Sequence, residues 1–232
     1  MGRAIVDALL AEGASPAVVD RDRAALDGLA GSRPGITCHA CDLADEEAVA
    51  DAFYRIAAER ARLDGLVHAA GRIASAPLNS PFGQPPRHSL AAWRGVLSDN
   101  LTTAFLAGAC AADEMLRTRS RGALVLITSL AAQGNPGQTA YSAAKAGAEA
   151  MVKGWGKELG PSGIRAVAVA PGFVEAESTR AALSESAVQA RVRAAPLRRL
   201  GRPEEVAEAI LFALRNDYVN ATTLHVDGGS VV

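Results

Sequence analysis

Short apolar runs alternate with long, helix-patterned stretches along almost the whole chain, and few architectures accommodate that order. Helical patterning covers 2–12, 23–30, 46–60, 140–159 and 203–214, and most of 90–116. Strand-like runs lie at 17–20, 36–40, 66–69, 123–129, 164–170 and 223–226. Strands separated by helices pair in parallel, with helices over both faces of the sheet. The expectation is one α/β domain over residues 1–232, a Rossmann-like, doubly wound parallel sheet in three αβα layers. A chain of 232 residues with 49% hydrophobic content can bury one sizeable core. No internal repeat or linker divides it. The Pro/Gly/Ser-containing stretch 77–86 reads as a loop near the mouth of a site.

Tyr141 and Lys145 stand four residues apart in Tyr-Ser-Ala-Ala-Lys, twelve residues after Ser129. Positions i and i+4 share a helix face, so the phenol and the ammonium sit one above the other. Ser129 ends the apolar run Ala123-Leu-Val-Leu-Ile-Thr-Ser, and Gly134, Pro136 and Gly137 turn the chain toward the Tyr141 helix. A free tyrosine, with a pKa of about 10, is a poor base at neutral pH. A nearby cation favours the phenolate and brings it toward a useful range. Ser129 would hold a carbonyl or alcohol oxygen against the phenol. Hydride transfer needs a cofactor, because no side chain carries hydride.

With these residues the chain resembles the short-chain dehydrogenase/reductase family, nearly from end to end. Ser129, Tyr141 and Lys145 match the catalytic Ser, Tyr and Lys, and Asn100 in Ser-Asp-Asn-Leu-Thr matches the Asn that completes the tetrad. Further landmarks follow in the family's order: Val67-His-Ala-Ala-Gly71, Pro171-Gly-Phe-Val174, Gly201-Arg-Pro-Glu-Glu-Val-Ala207 and Val226-Asp-Gly-Gly229. The likeness is to the 3-oxoacyl reductase-like branch. It implies that Asn100 holds a water relaying protons from Lys145, that Lys145 also binds the nicotinamide ribose, and that 173–200 forms a substrate lid.

The resemblance also implies a dinucleotide site. Met1-Gly2-Arg3-Ala4 is similar to the end of the TGxxxGxG turn, with Gly2 as its last glycine. The first strand and the earlier glycines are missing from this chain. That strand is central in the family, so its loss leaves two neighbours without backbone partners, at roughly 1–3 kcal/mol per buried group. Either the native chain extends upstream of Met1, or the sheet has rearranged and dinucleotide binding has weakened. Asp20 closes the run Val18-Val-Asp and would accept hydrogen bonds from the adenosine ribose while repelling a 2′-phosphate. NAD is therefore expected over NADP, although Arg21 beside it would partly accommodate a phosphate. Asp42 and Leu43 match the adenine-contacting pair. His68 takes the place of the first Asn of NNAG, with a packing role as the alternative, and Gly71 allows close backbone approach. Pro171, Gly172 and Val174 would line the nicotinamide. Ala176 stands where the family often has a Thr. Arg180, Arg191 and Arg193 would meet an anionic substrate or form a solvated helix face.

A net charge of −1 gives no electrostatic reason to expect nucleic acid. No apolar run approaches the roughly 18 residues of a membrane span. Asp7 and Glu12 rule the first helix out as a secretory signal, and Val6 occupies the Ser/Thr position of a myristoylation motif. A cytoplasmic protein with reduced thiols is expected. Cys38-His-Ala-Cys41 has no second ligand pair at zinc spacing, so no metal is assigned. His88 and His225 are expected to lack partners. The leading reading is an NAD-dependent alcohol dehydrogenase or ketoreductase acting on a small molecule. The other is a catalytically silent scaffold or oligomer partner that keeps the fold without the dinucleotide site. The resemblance implies a tetramer or dimer built on the helices bearing Asn100 and Tyr141, and the small-residue run 143–148 suits close helix approach.

Overall fold

The computed structural model describes residues 1–80, 87–175 and 184–230. Helix α1 (Gly2–Ala11) leads into β1 (Ala17–Asp20), α2 (Arg23–Ser32), β2 (Thr37–Ala40), α3 (Glu46–Arg60) and β3 (Gly65–His68). Then come α4 (Leu90–Leu97), a π turn (Ser98–Thr102), α5 (Thr103–Arg117) and β4 (Gly122–Ile127). A 3₁₀ turn (Leu130–Gln133), α6 (Thr139–Leu159), β5 (Ile164–Pro171), α7 (Glu185–Ala194), α8 (Pro203–Arg215) and β6 (Thr222–Val226) complete it.

Every strand pair is parallel. Successive side chains on the central strands supply opposite faces, as the pleat requires. Leu124 and Leu126 of β4, with Ile164, Ala166 and Ala168 of β5, join the core formed with α3, α5 and α6. Ala123, Val125, Ile127, Val167 and Val169 join the core that includes Ile5 of α1 and Val206, Ala207 and Ile210 of α8. Both faces are apolar, which is why these strands read as unbroken hydrophobic runs. This is the doubly wound arrangement.

Local chemistry sets the element ends. Asp22, Asp45, Ser89 and Ser184 each accept a backbone N–H from the first turn of the helix they precede. Arg165 at the start of β5 donates to the carbonyls of Ala213, Leu214 and Val219, satisfying the end of α8. Gly122 has no room for a side chain, since a Cβ would fall 2.4 Å from the Asp64 carbonyl oxygen.

The sheet is in two parts: β1 beside β2, and β3-β4-β5-β6 in that order. Among the described residues, β1 and β3 therefore each have one strand neighbour. Val18, Val19, Leu66 and Val67 are only half-buried, whereas β5 is buried throughout.

Several boundaries differ from the sequence pattern. Ala69 lies outside β3, and the stretch 90–116 is not one helix: the π turn interrupts it. The loop after Pro77 has its ends joined by an antiparallel bridge between Asn79 and Arg87, while 81–86 fall outside the described residues.

Candidate active site

The sequence-predicted residues collect at the C-terminal ends of the parallel strands. Asp20 ends β1, Asp42 follows β2, His68 ends β3, Ser129 follows β4, and Pro171 ends β5. In open α/β sheets this edge is where ligands bind.

Ser129 has extended backbone, φ −168° and ψ 153°, and its Oγ accepts the Ala131 N–H at 3.2 Å. The loop that follows is fastened to α6: the Asn135 N–H donates to Ser142 Oγ, and Asn135 Nδ2 donates to Gln138 Oε1. Tyr141 therefore enters from a fixed start of α6. It is 8% exposed, and the Ser129 side chain lies near enough to its phenol to lower the pKa. Lys145, one turn on, is 4% exposed. Its Nζ donates to the Ile127 carbonyl at 2.9 Å and lies 5.6 Å from the Tyr141 ring centroid. The i, i+4 spacing and the strand-end serine thus bring hydroxyl, phenol and ammonium together.

Asn100 arrives from the π turn. Its Nδ2 donates to the carbonyls of Arg72 and Val96, both at 2.9 Å, and its Oδ1 accepts the Arg72 N–H at 3.2 Å. Both side-chain N–H donors are occupied, so the side chain braces the loop after β3. Arg72 also donates through Nε to Asp99. Gly71 has φ +154°, and a Cβ there would fall 2.5 Å from Asn100 Oδ1 and 3.5 Å from Lys145 Nζ. Only glycine fits this approach. His68 is buried, with Nε2 3.2 Å from Thr103 Oγ1. Thr103, Arg72 and the Ile127 carbonyl have no signature in the sequence. The one available clue was Asn100 in a helical stretch, where a side chain that competes for backbone bonds is out of place.

The electrostatics reverse one expectation. Burial raises the Tyr141 pKa above its ordinary value of 10.0, and the Ser129 side chain only partly offsets this. Desolvation penalises the phenolate, and the ammonium that was to favour it is turned toward Ile127. Burial also pulls Lys145 down from 10.5 to about 8. His68 falls to about 4, first through burial and then through the charge on Lys145. The protein by itself holds a protonated phenol.

The dinucleotide side is more open. Asp20 is exposed, with Oδ1 accepting the Asp22 N–H at 2.9 Å. Asp42 accepts the Ala44 N–H, and Leu43 packs on the core. Helix α1 starts at Gly2 without a side-chain cap, and the space around Gly2 is empty. Gly172 donates its N–H to Val226, and a Cβ on it would fall 2.7 Å from Asp227 Cα. Val174 bridges to Gly201. These residues fit a dinucleotide: free N–H donors at a helix start, a strand-end carboxylate for ribose, and a side-chain-free turn beside the catalytic group.

In the stretch 173–200, Arg191 lies over the Phe173 ring at 5.1 Å and donates to the Ala187 carbonyl, so its charge is already engaged. Ala176 and Arg180 lie outside the described residues. His225 is not isolated as expected: its Nδ1 is 3.7 Å from an Asp227 carboxylate oxygen. Among the described residues, neither ring nitrogen of His88, both of them buried, has a hydrogen-bond partner. Burial raises the pKa of Cys38, Cys41 and Cys110, disfavouring the reactive thiolate.

Comparison with known proteins points the same way. The family model described as enoyl-(acyl carrier protein) reductase matches residues 1–230. A 3-oxoacyl-[acyl-carrier-protein] reductase of Thermotoga maritima is 34% identical, across 100% of this chain and 94% of that protein. Carbonyl reductase family member 4 of Danio rerio is 36% identical, across 99% of this chain and 92% of its own. The solved structure of a 7α-hydroxysteroid dehydrogenase, complexed with NADH and 7-oxo glycochenodeoxycholic acid, superposes with a TM-score of 0.90 at 26% identity. That match covers 99% of this chain and 89% of the other.

Proposed function

Because the chain belongs to the short-chain dehydrogenase/reductase family, on its 3-oxoacyl reductase-like branch, we propose that it interconverts a secondary alcohol and a ketone, with Tyr141 as general acid and base. The observation that carries this is the meeting of Ser129, Tyr141 and Lys145 at the C-terminal end of β4, with Gly71 and Asn100 beside them.

A bound nicotinamide supplies the hydride in reduction and takes it in oxidation. Asp20, the start of α1 at Gly2, Asp42, Leu43, Gly71, Pro171, Gly172 and Val174 would hold it, with Tyr141 and Lys145 at its nicotinamide end. In reduction, Ser129 donates a hydrogen bond to the carbonyl oxygen, and Tyr141 transfers its proton to the same oxygen. Oxidation runs the transfer backwards. The buried phenol suits the donor role because it keeps its proton at neutral pH. Lys145 replenishes that proton through its ammonium. Asn100 serves by positioning: it locks the loop at Gly71 against Lys145.

The test is consumption of NADH with a 3-oxoacyl thioester as first substrate, beside binding calorimetry with NADH and NADPH. We expect NADH to bind more tightly than NADPH, and Asp20→Ala to narrow the gap by roughly tenfold, about 1.4 kcal/mol. Equal binding by wild type removes the role given to Asp20. The second reading, a silent scaffold, draws on the division of the sheet between β1 and β3 beside the dinucleotide edge. No heat with either dinucleotide and no thermal protection would favour it.

We place the protein in the cytoplasm, where the three free cysteines stay reduced. No helix among the described residues is long and apolar enough to cross a membrane. A homo-oligomer, tetramer or dimer, would use α5 and α6: Phe105 and Leu116 are exposed on α5, and Ala143, Ala146 and Ala150 on α6.

A further inference from the structure

The mechanism leaves unused a buried titratable side chain that lies close to the site. His68 is 3% exposed at the end of β3 and points at the first residue of α5. Thr103 is itself buried, and its hydroxyl donates to the Asp99 carbonyl at 3.1 Å. The single hydroxyl proton is thereby committed. With that proton on the Asp99 carbonyl, we assign the donor of the 3.2 Å contact between His68 Nε2 and Thr103 Oγ1 to the ring, which makes it the neutral Nε2–H tautomer. A continuous chain results, from His68 through Thr103 to the carbonyl of Asp99, the residue immediately before Asn100.

We propose that His68 is a positioning residue: through Thr103 it fastens the π turn from below, holding Asn100 against Gly71 and Lys145. The proposal rests on the oxidoreductase reading of the same site. The π turn is anchored to the loop after β3 from above, by Asn100 on the Arg72 backbone and by Arg72 on Asp99. Those bonds reach the loop but do not fix the height of the turn along β3. The His68–Thr103 contact supplies that second point. It also explains an imidazole in so dry a place. An uncharged ring, neutral down to about pH 4, donates one bond without setting a second cation beside Lys145. A π turn has poorer internal bonding than the helices flanking it, so an outside anchor matters there more than elsewhere.

The variants are Thr103→Val, which removes the acceptor at nearly constant shape, Thr103→Ser, which restores it, and His68→Leu. Nitrogen-15 spectra of the wild-type histidines should report His68 as the Nε2–H tautomer. Thr103→Val should lower kcat about 10- to 100-fold while the KM for NADH moves less than twofold, since the defect lies in alignment. Thr103→Ser should return kcat to within about threefold of wild type, and the His68→Leu/Thr103→Val pair should lose no more than either alone. Should His68→Leu fail to fold, the two Thr103 variants and the tautomer still decide. Wild-type kcat in Thr103→Val, additive losses, or an Nδ1–H ring overturns the proposal. A wild-type enzyme with no turnover, its tautomer as predicted, overturns the oxidoreductase reading instead.

Discussion

Tyr141→Phe should fold like the wild type and lose about three orders of magnitude in kcat, within the usual range for removing a general acid. The substitution deletes one oxygen and leaves the ring in place against Val96, Ala131 and Ala140. Ser129 keeps its bond from the Ala131 N–H, so no buried polar atom is stranded and the stability cost should stay near 1 kcal/mol. Thermal unfolding and turnover together separate the two effects. A variant that unfolds early would place Tyr141 in the core. A variant with near-wild-type turnover would remove it as the proton donor.

Lys145→Met carries the second large effect, and here stability and activity should move in opposite directions. The ammonium is almost wholly buried, with the Ile127 carbonyl as its hydrogen-bond acceptor. Its pKa in the fold, about 8, lies below the 10.5 of the ordinary group. The folded state therefore holds the proton less well than the unfolded chain. Below pH 8 both states are charged, and the fold bears the full desolvation cost, roughly 3 kcal/mol for a drop of that size. As pH rises from about 8 to 10.5 the folded form sheds the proton first, and the cost disappears. Wild type should gain stability across that window, while Lys145→Met should lack the gain. At pH 7 the variant should melt higher than wild type, by up to that amount, since a methionine of similar length fills the space without a charge. Turnover should fall at least 100-fold, because Tyr141 loses its source of protons. A lower melting temperature at pH 7 would mean that the ammonium supports the fold. Retained turnover would mean that the proton comes from elsewhere. Stability traded for function is the expected mark of a site held against its own preference.

His68 acts in the same sense at the other end of the scale. Its pKa of about 4 in the fold lies below the ordinary 6.5, so its contribution to stability is present above pH 6.5 and lost as pH falls toward 4.

The parts legible in the sequence were those with a period or a spacing. The period-two faces of β4 and β5 collapse into continuous apolar runs because both faces are covered, and those runs located the sheet. The four-residue step from Tyr141 to Lys145 located the helix face. Three things had no such mark. The π turn at Ser98–Thr102 changes the backbone bonding without changing the side-chain pattern, so nothing in the largely helical stretch 90–116 marks where it falls. The direction of the Tyr141 pKa depends on how deeply the phenol is buried and where the Lys145 ammonium turns, and neither is a property of spacing. The 3.7 Å approach of His225 to Asp227 depends on the turn after β6. Arg191 illustrates the same limit. The sequence offers it to an anionic substrate or to a solvated helix face, and the fold stacks it on Phe173.

Whether Tyr141 stands in the site as a proton donor can be read spectroscopically. An ultraviolet difference titration, wild type minus Tyr141→Phe, isolates the ionisation of this phenol from those of Tyr54 and Tyr218. In the protein without dinucleotide, the difference signal should show no phenolate until the pH exceeds 10.0, the ordinary value that burial raises. A phenolate signal appearing between neutral pH and about 8 would mean that Lys145 outweighs burial, and would contradict a protonated Tyr141 poised over Ser129.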